Sequence, residues 1–521
     1  MDHQKNRGTL LFASFLTLVA AGAGTATRGA VAPAWASNLN IGQDEFGTIL
    51  GLGFLGFGLV IFGGGILVEM FGYKKLLLLA VAMQFASAVM TFMAPNLYAG
   101  WLESAGPEEA TANVVRLLQI AVLLFAVCNG LYEAVINPLV GQLYPENQTH
   151  YLNILHAGWP LGLIVGGLTA FAFQNETAAI QQIPWHYALS SYSVILLLLT
   201  LMVIGQTFPQ TVSASGKSSF GVLFSCFLSL PFLLLLVLHA LIGYMELGVD
   251  SWMTRLMENL VSNSVIVLVY TSILMFVLRF FAGPIVHRLN PIGLLLASSV
   301  IAVLGLLWLS TDTDSLVMIF AAATLYSLGK AFLWPTMLAV AGERYPQSGS
   351  VAMSALGAAG MISVGTIGGT MIGAQQSELM VASLESSAPE TFGRYYEGTE
   401  SEFLGYKYRG LPPGLTQSAM EGYRATKITD VAKREAELEA KTSAAAEAAG
   451  DKADEIRSNF DADAVAVATA YDAGSRQALR LTAMVPVAMA IGFLLLSIYF
   501  KAIGGYKVIS LDDEVAEAAT A

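Results

Sequence analysis

Cysteine and charge are both scarce in this chain. Only two cysteines occur in 521 residues, Cys128 and Cys226. Both lie in or beside apolar runs, so they read as buried reduced thiols, which leaves no disulfide framework and no redox chemistry to expect. Charged residues make up 12% of the chain, about half the share of a soluble domain. Hydrophobic residues make up 55% and the mean hydropathy is +0.62, a balance that excludes a water-soluble fold. No basic stretch interleaved with aromatics occurs, which removes nucleic acid as a partner. No nucleophile, metal cluster or phosphate loop recurs, so neither an enzyme nor a metal or other cofactor is expected.

What is present is a series of long apolar runs. A bilayer crossing needs about 20 mostly apolar residues, and twelve such spans run over residues 8–33, 45–69, 75–98, 114–143, 150–173, 185–208, 222–257, 263–287, 291–310, 315–343, 349–374 and 477–502. They imply an all-α membrane protein. An even number of spans puts both chain ends on one side. Lys5, Arg7, Lys74, Lys75, Lys217, Arg288, Arg344, Lys501 and Lys507 fall on that side, whereas the loops 34–44, 99–113, 174–184 and 311–314 contain no Lys or Arg. The positive-inside rule then makes both ends cytoplasmic, as in an integral protein of a bacterial inner membrane.

Five ionisable residues stand out within these spans: Arg28 on span 1, Glu133 on span 4, Glu246 and Asp250 on span 7, and Lys330 on span 10. A charge in hydrocarbon costs roughly 3 kcal/mol or more, so such residues face a bundle interior or a wet cavity and mark function. Their recurrence every third span points to a transport pathway. Glu246 and Asp250, four residues apart, share a helix face, with Lys330 as their expected counter-charge. Arg28 and Glu133 are expected to pair in the same way.

The chain also repeats itself. Gly65-Ile66-Leu67-Val68-Glu69-Met70-Phe71-Gly72 closes span 2, and Gly283-Pro284-Ile285-Val286-His287-Arg288-Leu289-Asn290 closes span 8. Each ends in Gly or Asn, the residue types that most readily take φ > 0. Leu143-Tyr144-Pro145 follows span 4 and Arg344-Tyr345-Pro346 follows span 10, and each precedes a glycine-rich span. Two pseudo-symmetric six-helix bundles follow: residues 1–208 and, after a linker at 209–221, residues 222–374 with 477–507. A polar insertion at 375–476 and an acidic tail at 508–521 complete the chain.

Gly65, Leu67, Glu69, Gly72, Lys74 and Lys75 resemble the G-x-L-x-D/E-x-x-G-x-K-K loop of the major facilitator superfamily, and the resemblance covers the whole chain except residues 375–476. It implies that spans 1, 4, 7 and 10 line a central cavity. Glu133-Ala134-Val135-Ile136-Asn137-Pro138, with Tyr151-Leu152-Asn153-Ile154-Leu155-His156 after it, is similar to the E-x-x-x-N-P and L-N-L-x-H/Q elements of the fucose permease family of sugar/proton symporters. That family pairs its helix 4 glutamate with an acid in helix 1, where this chain has Arg28 and Gly29.

On these grounds Glu133, Glu246 and Asp250 are the candidate proton-coupling residues. Arg28, Asn129, Tyr132, Asn137, His156, Trp159, Tyr244, Trp252, Tyr326, Lys330 and Trp334 are the candidate solute contacts, because aromatic faces stack on a ring while amides and charges hold its polar edges. His239 reads as core. Gly65, Glu69, Gly72, Lys74, Lys75, His287 and Arg288 lie at the cytoplasmic ends and read as gating residues. The insertion carries 18 Asp/Glu against 11 Lys/Arg over residues 375–476. Its Ala, Glu and Lys-rich stretch at 428–459 predicts helix, with a Glu437–Lys441 pair and too few large apolar residues for a core of its own. The expected protein is a monomeric carrier in the lipid bilayer that moves a sugar, nucleoside or similar small polar solute with protons or another coupling ion. An organic anion carrier and a receptor that binds through the insertion are the alternatives.

Overall fold

A computed structural model describes residues 6–29, 32–41, 43–174, 184–256, 265–313 and 315–511. Lys5, residues 30–31 of span 1, the loop expected at 174–184 apart from its two end residues, residue 257 of span 7, residues 263–264 of span 8, residue 314 and residues 512–521 of the acidic tail lie outside the described residues. Ten described helices are long and apolar enough to cross a bilayer, and two shorter apolar ones, Gly56–Phe71 and Ile266–Arg279, bring the number to twelve. Both described chain ends meet at one face of the molecule, here called the terminal face. There Asn6 Nδ2 donates to Gln206 Oε1 at 2.9 Å, and Ile509 N donates to the Glu343 carbonyl at 2.8 Å.

The sequence repeat is also a backbone repeat. Gly72 turns at φ 83 and Asn290 at φ 54; Asn290 Oδ1 then accepts from Gly293 N, capping the helix that follows. Tyr144 (φ −133, ψ 58) and Tyr345 (φ −131, ψ 52) end spans 4 and 10 with nearly the same dihedrals, each before a short 3-10 turn that opens on proline. The glycine-rich spans do equivalent work in the two halves. A methyl group on Gly158, Gly162 or Gly166 would meet the Phe15, Val19 or Ala23 carbonyl of span 1 at 2.5 Å or less, and one on Gly243 of span 7 would meet the Gly360 carbonyl of span 11 at 2.2 Å. Close backbone approach between small residues is how helices associate where hydrocarbon offers no hydrophobic drive.

Several spans are broken. Span 5 consists of Gln148–His156 and Gly158–Gln174, and span 10 of Leu316–Lys330 and Leu333–Arg344. Span 8 pauses after Val265–Arg279 before resuming at Ala282. Span 7 carries a π turn at Tyr244–Gly248, and span 11 one at Val364–Gly368. The two π turns pack on each other through Gly248 and Gly368. Such breaks free backbone carbonyls that need other donors.

The insertion differs from its sequence reading, because it has a core. Span 11 continues to Ser387 and the helix that enters span 12 begins at Ala453, so both serve as stalks. Between them lie Pro389–Tyr395, a hairpin of Glu400–Phe403 with Tyr406–Arg409, Pro413–Thr426 and Val431–Ala449. Leu384, Tyr395, Leu415, Met420, Ile456 and Phe460 pack together with many alanines. Small residues let the helices close up, so few large ones are needed: Phe460 lies directly on Gly422. The buried Asp463 accepts from Thr391 Oγ1 at 2.8 Å and Arg394 Nε at 2.9 Å. Lys441 pairs across helices with Glu421 at 2.8 Å, in place of the Glu437 partner expected four residues before it.

Candidate functional site

The buried charges of the second half form two ion pairs. Arg279 Nη2 donates to Glu246 Oε1 at 2.9 Å, and Lys330 Nζ donates to Asp250 Oδ1. Lys330 therefore does not serve both acids. The π turn adds a residue between helical segments and rotates Glu246 relative to Asp250, so the two take different cations. Tyr326 supports this arrangement: its hydroxyl donates to the Met245 carbonyl inside the π turn at 2.8 Å, and Lys330 Nζ lies 5.1 Å from the centre of its ring.

The first half is built differently. Asn137 Nδ2 donates to Glu133 Oε2 at 2.7 Å and to the Glu133 carbonyl at 2.9 Å. Asn137 Oδ1 is then free to accept from His156 Nε2 at 2.8 Å, which places the imidazole proton on Nε2. Arg28 does not reach Glu133. Its guanidinium donates to the Gly24 carbonyl, Ser87 Oγ and Tyr192 Oη and lies over the Phe125 ring at 3.7 Å.

The halves are joined by Arg279, a residue the sequence reading passed over. It is 1% exposed and spends Nε on the Ala331 carbonyl, Nη1 on the His156 carbonyl and Nη2 on Glu246. Its place near the end of span 8, shortly before His287 and Arg288, gives it the look of an interfacial cation. The length of the apolar run before it, set against the seven residues still separating it from His287, was the available signal.

Glu133, His156, Trp159, Glu246, Arg279 and Trp334 line one cavity, with Phe57, Leu247 and Met361 closing its walls. Its volume is about 30 Å³, room for one or two water molecules and far below what a sugar ring needs. Asn137 stands directly behind Glu133. The other expected contacts lie elsewhere. Tyr132 donates to Gln84 inside the first bundle, Asn129 is buried beside Cys128, and Trp252 packs on Gly369 and Gly373. Tyr244 is buried within the π turn. His239 is buried against Trp334, ring centres 4.5 Å apart.

Toward the terminal face the halves are sealed. Glu69 Oε1 accepts from Ser350 N and Oγ at 2.9 and 2.7 Å, and Oε2 accepts from Ser213 N at 3.0 Å; a carboxylate at the start of span 11 also suits that helix's dipole. A methyl group on Gly65 would sit 2.5 Å from Ser354. Thr149 Oγ1 donates to Glu343 at 2.9 Å, and Asn153 Nδ2 to Thr336 Oγ1 at 3.1 Å. Lys74 Nζ donates to the Ile204 and Gln206 carbonyls at the end of span 6, while Lys75, His287 and Arg288 are exposed.

Among known proteins, the family model for the Major Facilitator Superfamily matches residues 13–369. No curated protein matches the chain. Among solved structures, the E. coli fucose:proton symporter superposes with TM-score 0.55 at 16% identity, covering 70% of this chain and 90% of that one. A proton:xylose symporter of the same superfamily superposes with TM-score 0.58 at 14% identity over 70% and 88%. A bacterial homologue of the human lysosomal transporter Spinster, in an inward-facing conformation, reaches TM-score 0.56 at 15% identity over 94% and 96%. At these identities the likeness is one of fold.

Proposed function

The chain belongs to the major facilitator superfamily, and on that premise we propose that it is a secondary active transporter that carries a sugar, nucleoside or similar small polar solute by proton symport through Glu133. The observation behind this reading is the Glu133–Asn137–His156 chain of hydrogen bonds, which opens onto a cavity between two halves that are sealed on one side. Among the described residues Glu133 has no cation within ion-pair reach, whereas Glu246 and Asp250 each have one. Protonating Glu133 removes a charge that no ion pair balances and gives it an O–H to donate to a solute hydroxyl. Protonating Glu246 or Asp250 would instead strand a buried cation, which costs far more. Glu133 therefore ranks first for coupling, Glu246 second and Asp250 third.

Trp159, Trp334 and Phe57 supply apolar faces for a ring, and Asn137 and His156 supply polar edges. The cavity must widen to admit a ring, which the rocking of the two halves provides. The basic residues at the terminal face support a cytoplasmic position for it in a bacterial cell; in this reading Gly65, Glu69 and Gly72 act in the gate and the monomer is the working unit. Arg279 and Lys330 are both occupied by carboxylates, which weighs against an organic anion as the solute.

The test is transport in proteoliposomes. Solutes that raise the melting temperature of the purified protein are offered in radiolabelled form, first in counterflow and then with an imposed pH gradient. Glu133→Gln should keep counterflow and lose accumulation driven by the gradient. Equal gradient-driven accumulation by Glu133→Gln and wild type would rule out coupling at this residue, and binding without any counterflow would favour a receptor.

A further inference from the structure

The seal on the terminal side has an order that its individual contacts do not reveal. Thr149, Asn153 and His156 lie at i, i+4 and i+7 of the helix Gln148–His156, one stripe of a helix face. Each is bonded across the boundary between the halves: Thr149 to Glu343, Asn153 to Thr336, and the His156 carbonyl to Arg279. The stripe climbs about 10 Å from the terminal face, and its last rung is the one that touches the cavity. That rung is made by a guanidinium whose three acceptors all sit at discontinuities of helices. The His156 carbonyl lies at the break in span 5, the Ala331 carbonyl at the break in span 10, and Glu246 in the π turn of span 7. Arg279 itself ends the first segment of span 8.

We propose that Arg279 is the latch of the inner seal, a positioning residue whose bond to the His156 carbonyl breaks whenever the two halves part on the terminal side. Glu246 and the Ala331 carbonyl belong to the same half as Arg279, so they keep the guanidinium in place when the halves separate. Only the bond to the first half has to open. Arg279 thereby ties the cavity wall to the seal, because the carbonyl it holds belongs to His156, whose ring binds Asn137 beside Glu133. This inference rests on the reading above in which the two halves rock about the cavity, but not on the identity of the solute or of the coupling ion.

A cysteine placed at Ser354 reports the seal. Ser354 is 2% exposed, touches Gly65 across the boundary, and its hydroxyl has no hydrogen-bond partner among the described residues, so Ser354→Cys removes no hydrogen bond seen there. With Cys128 and Cys226 replaced by alanine, the rate of alkylation by N-ethylmaleimide is compared in Arg279, Arg279→Lys and the double variant Arg279→Gln/Glu246→Gln. Lysine keeps the charge opposite Glu246 but cannot span three acceptors. The double variant removes both charges together and leaves no buried ion alone. The latch predicts alkylation about tenfold or more faster in both variants, since one hydrogen bond from a charged donor shifts an equilibrium by roughly ten- to a hundredfold. If Arg279 serves only charge balance, both variants react at the parental rate and the latch is overturned. Faster alkylation in a protein that never exchanges any solute would keep the latch and sink the proposed transport activity instead.

Discussion

The two halves share a backbone plan yet handle buried charge in opposite ways. In the second half both acids of span 7 meet a cation, Glu246 with Arg279 and Asp250 with Lys330, and a π turn in span 7 sets the angle between them. In the first half Glu133 meets an amide, and Arg28 meets hydroxyls, a carbonyl and rings. The difference separates two uses of a charge inside a membrane. A pair is locked, because removing one member strands the other; an acid held by an amide can change its charge without stranding anything. Under the proposed function the second half serves as a scaffold and the first half holds the acid that titrates.

The largest effect should come from breaking a pair. Lys330→Met leaves Asp250 without its cation and should cost about 3–5 kcal/mol of stability, while Asp250→Asn added to it should recover much of that loss. Arg28→Met strands no acid and should cost roughly 1–2 kcal/mol, the scale of a desolvated cation–π contact. Thermal unfolding in detergent ranks the three. A loss from Arg28→Met as large as that from Lys330→Met would erase the contrast between the halves.

The paired turns give a second, smaller comparison. Gly72 has φ 83 and open space where a side chain would be, and its twin Asn290 has φ 54. Gly72→Asn should therefore be tolerated, whereas Gly72→Val should cost about 1–3 kcal/mol through backbone strain alone and slow exchange with little change in affinity. Gly65→Val differs in kind, because its side chain would collide with Ser354. It should hold the seal open and speed alkylation of a cysteine at Ser354 more than Gly72→Val does. Equal effects of valine at both positions would mean that the turn and the contact are not separate devices.

Much of this was legible in the sequence, for reasons that also explain what was not. Hydropathy and length gave the spans, and the repeated Tyr-Pro and Gly/Asn endings gave the two halves, because local chemistry fixes those turns. The facing of each residue was hidden. Membrane helices are apolar on all sides, so periodicity does not tell lipid from cavity, and Tyr132, Trp252 and Tyr326 sit on the expected spans but point into bundles. The π turn at Tyr244–Gly248 leaves no sign in composition, and it is what sends Glu246 to Arg279. Alanine, read only as a helix former, packs the core of the insertion.

The smallest expected effect lies in that insertion, against the membrane halves. Burial pushes the carboxyls of Glu378 and Glu421 up, but hydrogen bonds from Arg409 and Lys441 more than offset it and leave both below the usual range. A depressed carboxyl pKa contributes stability that is present above the ordinary value of about 4.3 and is lost as pH falls through the folded value. The insertion should thus loosen at acid pH before the bundles do. Hydrogen exchange followed from pH 6 to pH 3, corrected for intrinsic rates, would show protection falling first over residues 389–449. Simultaneous loss over the insertion and the spans would contradict it.

The contrast between a locked half and a titrating half is tested most directly by counting protons. Once a solute is identified, its binding to purified protein in weak buffer can be followed with a pH-sensitive dye. The account predicts that wild type and Glu246→Gln take up a proton on binding and that Glu133→Gln takes up none. Proton uptake that survives in Glu133→Gln and vanishes in Glu246→Gln would contradict it, and would move the titrating group to the second half.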